Sequence, residues 1–148
     1  MRASTKAFYG VLALADIALN SDNGSSVPAP DIAERQDVSK KYLEQILSLL
    51  RRAGYVRAQR GINGGYSLAR PANSITLFDI FDALDSAILE RTEIGGKRAD
   101  AGLRDVVNAC LWEKINDFLV SFAKSMTLED FIGECKKRTP ETWDLYVI

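Results

Sequence analysis

Lys40, Lys41, Glu44 and Gln45 crowd into six consecutive positions, and Arg60 precedes a run with three glycines in five residues, Gly61 to Gly65. Residues of these types at these spacings suit a polyanion. Lysines neutralise phosphates, Gln pairs with an adenine edge, and Glu accepts from cytosine. Glycines let a backbone approach its target closely, and Arg is favoured in a narrow minor groove. The glycine run is not a nucleotide loop, because no Lys-Ser/Thr follows it and strands rather than a helix flank it. On its own a Gly-rich hairpin is only a tight turn.

Other chemistry is short of residues. The 148-residue chain contains no histidine, which excludes Ser-His-Asp and Cys-His catalysis and histidine metal sites. No catalytic constellation is left, so an enzyme is not expected. The two cysteines, Cys110 and Cys135, are too few and too far apart for a disulfide framework. With no leader-like N-terminus and no long apolar run, the expectation is a cytoplasmic protein that does not meet a membrane.

The net charge of -1 conceals an asymmetry. Residues 1–70 carry 10 Lys/Arg against 6 Asp/Glu, and residues 71–148 carry 9 against 14. Between 40 and 70, Lys40, Lys41, Arg51, Arg52, Arg57, Arg60 and Arg70 face one acid, Glu44. Such a block is either a solvated face or a phosphate-binding surface.

The elements that must hold these residues follow from periodicity. Ser4 to Asn20 reads as a helix with Phe8, Leu12, Ala15 and Leu19 at helical spacing. A turn-rich loop leads to Pro30, which opens a short helix ending near Gln36. After a tight connection, Ser39 caps a third helix that buries Leu43, Ile46, Leu47 and Leu50 and stops at Gly54. This pair predicts a helix-turn-helix whose second helix leads with Ser39-Lys40-Lys41-Tyr42. Tyr55–Arg60 and Tyr66–Ala69 predict two strands of a hairpin, a wing. Thr76 with Asp79 caps a fourth helix, residues 88–102 read as a loop, and a long helix spans Leu103 to Ser125. Its stripe of Val106, Val107, Cys110, Leu111, Ile115, Phe118, Leu119 and Phe122 is wide enough to need a second chain, unless the N-terminal module covers it. Thr127 and Asp130 cap a last helix to Gly133, and an apolar tail ends Tyr146-Val147-Ile148.

The sequence resembles the Rrf-two (Rrf2) family of bacterial regulators. The resemblance rests on Ser4-Thr5-Lys6, Tyr42-Leu43-Glu44-Gln45, Leu49 with Ala53-Gly54-Tyr55-Val56, and Arg60-Gly61 with Gly64-Gly65-Tyr66. It is specific from Met1 to about Asp85 and looser beyond, through Leu111-Trp112 and Thr127 to Asp130. It implies a mainly α fold with a small β-hairpin wing, a winged helix-turn-helix plus a long dimerisation helix. It implies double-stranded DNA contacts from Ser4, Lys6, Tyr9, Pro28, Ser39, Lys41, Glu44, Gln45, Arg60, Gly64 and Gly65. Lys40, Tyr42, Arg51 and Tyr66 join them from the basic helix and the wing. The expected organisation is residues 1–86 for DNA, 87–138 for a loop and dimerisation helices, and 139–148 as a tail. The homodimer is expected across Val107, Leu111, Ile115, Phe118, Leu119 and Phe122.

Many members hold an iron–sulphur cluster with three cysteines before the long helix, but here that loop has none. Thiolate ligation takes about four ligands, so the expectation is no metal and no cofactor. Cys110 is expected to be a buried core thiol. Cys135 is either a surface cysteine or, beside Lys136 and Lys137, a low-pKa redox thiol. By resemblance to the family's cysteine-metabolism branch, Tyr146, Val147 and Ile148 are expected to dock on cysteine synthase. The expected role is repression of cysteine, sulphur or iron–sulphur genes. The competing readings are a protein–protein adaptor on the same scaffold and a cluster-binding redox sensor.

Overall fold

Ser4 opens the first helix, its hydroxyl accepting from the Ala7 N–H at 3.2 Å, which satisfies a donor that every helix start leaves open. Helix α1 then spans Thr5–Asn20. The computed structural model describes residues 4–21, 24–90 and 102–138. Most of the expected 88–102 loop and the whole tail with Tyr146, Val147 and Ile148 lie outside the described residues.

The buried face of α1 only partly matches the expected one: Ala15 is buried and Leu12 and Leu19 are half-buried, but Phe8 is not inside. Phe8 is 56% exposed, whereas Ala7, Gly10, Ala13, Leu14 and Ile17 face inward. The small residues decide the orientation. A Cβ at Gly10 would strike the Leu84 side chain, so the face that permits close approach turns to the core.

Helix α2, Ala29–Arg35, starts behind Pro28 with Pro30 in its first turn, where a missing N–H costs nothing. Asp37 adopts a left-handed conformation, φ 50°, and reverses the chain; Asp tolerates this region better than most residues. Helix α3, Lys40–Arg52, follows, capped by the Ser39 hydroxyl accepting from the Tyr42 N–H at 3.2 Å. It buries Leu43, Ile46, Leu47 and Leu50, as its periodicity predicts. Gly54, at φ +86°, ends it; the Tyr55 N–H donates to the Leu50 carbonyl and the Gly54 N–H to that of Arg51, both at 3.0 Å.

One buried charge orders this module. Asp16 is 3% exposed. It accepts from Arg35 Nε at 2.9 Å, Arg35 Nη2 at 2.7 Å and Gln36 Nε2 at 2.8 Å. The bidentate pair ties α1 to the end of α2, immediately before the turn that aims α3. The Asp16 hydrogen bonds are the leading cause of the raised Arg35 pKa.

Strands β1, Val56–Gln59, and β2, Gly65–Leu68, pair antiparallel from Val56 with Leu68 to Gln59 with Gly65. They are shorter than the runs predicted, although the Ala69 N–H still donates to the Tyr55 carbonyl at 3.0 Å. Val27 adds a rung the pattern did not show, exchanging two backbone bonds of 2.8 Å with Tyr66.

Helix α4, Leu77–Leu84, carries the expected capping box: the Thr76 N–H donates to Asp79 at 2.9 Å and the Asp79 N–H to Thr76 at 3.1 Å. The long helix is present but has one wide turn in it. Helix α5, Leu103–Val107, passes through a π-helical turn at Asn108–Trp112 into α6, Glu113–Ser125. Helix α7, Leu128–Arg138, runs past Gly133, which has open space around it and does not stop the helix. Thr127 and Asp130 cap it reciprocally at 3.1 Å in both directions. Thr76 and Thr127 lie opposite each other: the Leu77 N–H donates to the Met126 carbonyl at 2.9 Å and the Leu128 N–H to that of Ile75 at 2.7 Å. Two capping boxes thus stand back to back.

The core joins α1, α2, α3, β1, α4 and the α6–α7 corner, with Leu14, Ile17, Ile32, Leu47, Val56, Ile75, Ile80 and Leu128 fully buried.

Candidate nucleic-acid interface

Helix α3 buries one stripe and so must display the opposite one. Lys40, Lys41, Glu44 and Gln45 are all exposed there. Ser39 caps the helix, which leaves the helix dipole and the first-turn N–H groups at its outward end. Lys40 and Glu44 stand 3.9 Å apart, a loose exposed pair, so each side chain remains free to contact another group.

Helix α1 completes this face. Its N-terminal turn lies beside α3, and Lys6, Lys41, Tyr42, Glu44, Gln45 and Arg52 line an open cleft between them, with Ser48 in its floor. Tyr9 meets Tyr42 edge to face at 5.8 Å and Phe8 at 5.4 Å, which fixes the spacing of the two helices. Ser4 is engaged as a cap, and Pro28 is exposed at the start of α2. Arg52, which is not among the expected site residues, lines the cleft, while the expected Arg51 is exposed on the same helix outside the lining. The signal was available: 41, 45, 48 and 52 follow the helical period.

The hairpin forms a second projection. Arg60 is exposed at its base, and the Gly64 N–H closes the turn on the Gly61 carbonyl at 2.9 Å. The glycines are sterically required. A Cβ at Gly64 would lie 2.5 Å from the Gln59 carbonyl oxygen. Gly65, at φ +153°, faces the Val27 carbonyl with no room for one. Tyr66 is half-buried, and its backbone pairing with Val27 anchors the hairpin to the segment that leads into α2.

The α5–α6 rod presents a different surface. Val107, Leu111, Ile115, Phe122 and above all Phe118 (76%) are exposed, with Leu119 half-buried. Val106 and Trp112 extend the patch. The rod's C-terminal half runs beside α4, with Asn116, Asp117, Val120 and Ser121 facing Phe78 and Asp82 across an open cleft, and its last turn docks on the core through the fully buried Ala123. The described part of the N-terminal module therefore does not cover the stripe. Cys110 sits on this uncovered rod and is exposed, not a core thiol. Cys135 is half-buried, and burial pushes its thiol pKa up rather than down. This rules against a thiol activated by its lysine neighbours.

Among the described residues no three His, Cys, Asp or Glu side chains gather as a metal site. No described helix is long and apolar enough to cross a membrane.

A helix-turn-helix with a cationic outer face, flanked by a rigid glycine hairpin, is a winged-helix DNA-binding module, and the class it defines is a transcriptional regulator. Residues 3–134 match the Rrf2 family, described as an iron-dependent transcriptional regulator. The chain belongs to the Rrf2 family. It is 39% identical over 133 residues to the HTH-type transcriptional regulator IscR of Escherichia coli O1:K1 / APEC, covering 90% of this chain and 81% of that one. Among solved structures, T. potens IscR superposes with a TM-score of 0.75 at 34% identity, over 93% of this chain and 90% of its own. CymR, the global cysteine regulator of B. subtilis, gives 0.73 at 29% identity over 90% and 98%. The mainly α fold with a hairpin wing, and regulation rather than enzymatic catalysis, agree with these relatives.

The family description raises iron, and the donor set here does not fit a thiolate-held cluster. Two cysteines and no histidine fall short of the roughly four ligands such a cluster takes. One of the two is half-buried with a raised pKa.

Proposed function

We propose that the chain represses transcription as a homodimer on a pseudo-palindromic operator, without an iron–sulphur cluster. Each α3 enters a major groove, with the two grooves about 34–36 Å apart, and each wing covers an adjacent minor groove. The observation that carries this reading is the convergence of Lys6, Lys41, Gln45 and Arg52 on one open cleft that runs along α3. In this reading the lysines and Arg52 neutralise phosphates, while Gln45 and Glu44 read base edges. The second copy covers the exposed row from Val107 to Phe122. Apolar side chains in such a row gain far more from a partner helix than from water.

The proposed targets are genes of cysteine, sulphur or iron–sulphur metabolism, a reading supported by the similarity to CymR and IscR. The tail, residues 139–148, is proposed to contact cysteine synthase; loss of co-elution on deleting Ile148 is the expected result, and no co-elution of the intact chain refutes it.

The principal test is fluorescence anisotropy on a duplex selected by the protein from a random pool. If a dimer neutralises about six phosphates, affinity falls roughly 10³-fold between about 50 and 200 mM salt. A salt-independent affinity contradicts the reading.

A further inference from the structure

The wing tip carries a side chain the fold does not use. Ile62 is 105% exposed, more than any other large apolar residue described. The other exposed ones have company: Phe8 meets Tyr9 edge to face, and the rest lie along the α5–α6 rod. Ile62 stands alone between Gly61 and Asn63. Turn tips favour Gly, Asn, Asp and Pro, each for a backbone reason that a β-branched residue does not supply. The tip is also held rigidly, by the Gly64 to Gly61 bond, the β1–β2 ladder and the Val27–Tyr66 rung. A fixed apolar knob with Arg60 two residues before it is suited to a surface that is anionic at its rim and apolar inside. A DNA minor groove has that chemistry: phosphates line its edges and sugar faces form its walls.

We infer that Ile62 is a specificity-determining contact: it enters the minor groove, packs against the sugar walls, and favours A·T pairs because the guanine amino group would obstruct it. Arg60 supplies the attraction at the groove rim, and Ile62 senses the floor. The inference rests on the wing lying over a minor groove.

The test compares the intact wild-type chain with Ile62→Ala and Arg60→Ala. The probe is the duplex selected by the wild-type protein, and a second probe replaces adenines under the wings with 2,6-diaminopurine. That base adds an amino group to the minor groove and leaves the major-groove edge unchanged. Circular dichroism confirms folding, which a fully exposed side chain should not affect. Ile62→Ala should bind the first probe about tenfold more weakly per dimer, as partial burial of two isoleucines implies, with an unchanged salt slope. The second probe should weaken the wild type and barely affect Ile62→Ala. Arg60→Ala should lower the salt slope. If Ile62→Ala binds both probes like the wild type while Arg60→Ala is weakened, the Ile62 contact is refuted and the wing reading stands. If neither variant differs from the wild type, the wing reading itself fails. An equal diaminopurine penalty in wild type and Ile62→Ala also overturns the inference.

Discussion

Removing the Asp16 carboxylate should be among the most damaging single changes outside the apolar core. Asp16→Ala deletes three short bonds, two from Arg35 and one from Gln36, and a longer one of 3.4 Å from Asn20. Breaking a buried ion pair by removing one partner costs about 3–5 kcal/mol, mostly because the other charge is stranded. Here the Arg35 side chain is 24% exposed, against 1% for Asp16, so the stranded guanidinium can turn to water. The expected cost therefore sits at the lower end, about 3 kcal/mol, or a fall in Tm of roughly 10 °C for a chain of this size. Urea unfolding of Asp16→Ala against Glu34→Ala provides the comparison. Glu34 is exposed on the same short α2, and its loss should stay within about 0.5 kcal/mol. Below the melting range, Asp16→Ala should also bind DNA more weakly, since Arg35 and Gln36 lead directly into the turn that aims α3. A loss below about 1 kcal/mol, on the scale of an exposed pair, would refute the argument that this network holds the helix-turn-helix in place.

Two further outcomes follow from the same geometry. Gly54→Ala and Gly65→Ala both place a side chain at positive φ, but only Gly65 has backbone in the way. Gly54→Ala should cost about 1 kcal/mol; Gly65→Ala should cost clearly more and abolish wing-dependent DNA binding while helix content by circular dichroism persists. Equal losses would show that the wing adapts. Cys135, with its thiol pKa raised by burial, has less thiolate at a given pH, so at about pH 8 it should react with iodoacetamide more slowly than a small model thiol. The lag should close as the pH rises. Labelling at the rate of the model thiol would overturn the assigned burial.

Much of the DNA-facing half is legible in the sequence because helix periodicity, caps and glycines act locally. Ser39, Gly54, Thr76 with Asp79, and Thr127 with Asp130 all do what their types predict. What escaped depends on distant partners. The inward face of α1 is set by how closely α4 can approach Gly10, and a count of large apolar residues points instead to Phe8. Asp16 gives no hint that its partner lies 19 residues on. Val27 joins the wing through a single rung, too short for any alternation to reveal. Cys110 reads as core because its helix is apolar, yet it lies on a stretch of the rod whose apolar side chains are exposed. Arg51 and Arg52 are adjacent in the sequence, and only the helix geometry separates the one that lines the cleft from the one that does not.

The back-to-back pairing of Thr76 and Thr127 also bears on how the molecule can move. Each threonine starts its own helix and is held to the other strand by main-chain bonds on both sides. The corner between α6 and α7 is thus joined to the first turn of α4 by two main-chain hydrogen bonds, while each threonine hydroxyl catches an N–H of its own helix. A rod pinned by these two bonds and by the buried Ala123 resists swivelling at its base. A force applied along α6 would turn the whole winged module with it, like an oar in its rowlock, and the spacing between two such modules would be set by the angle at which their shafts cross.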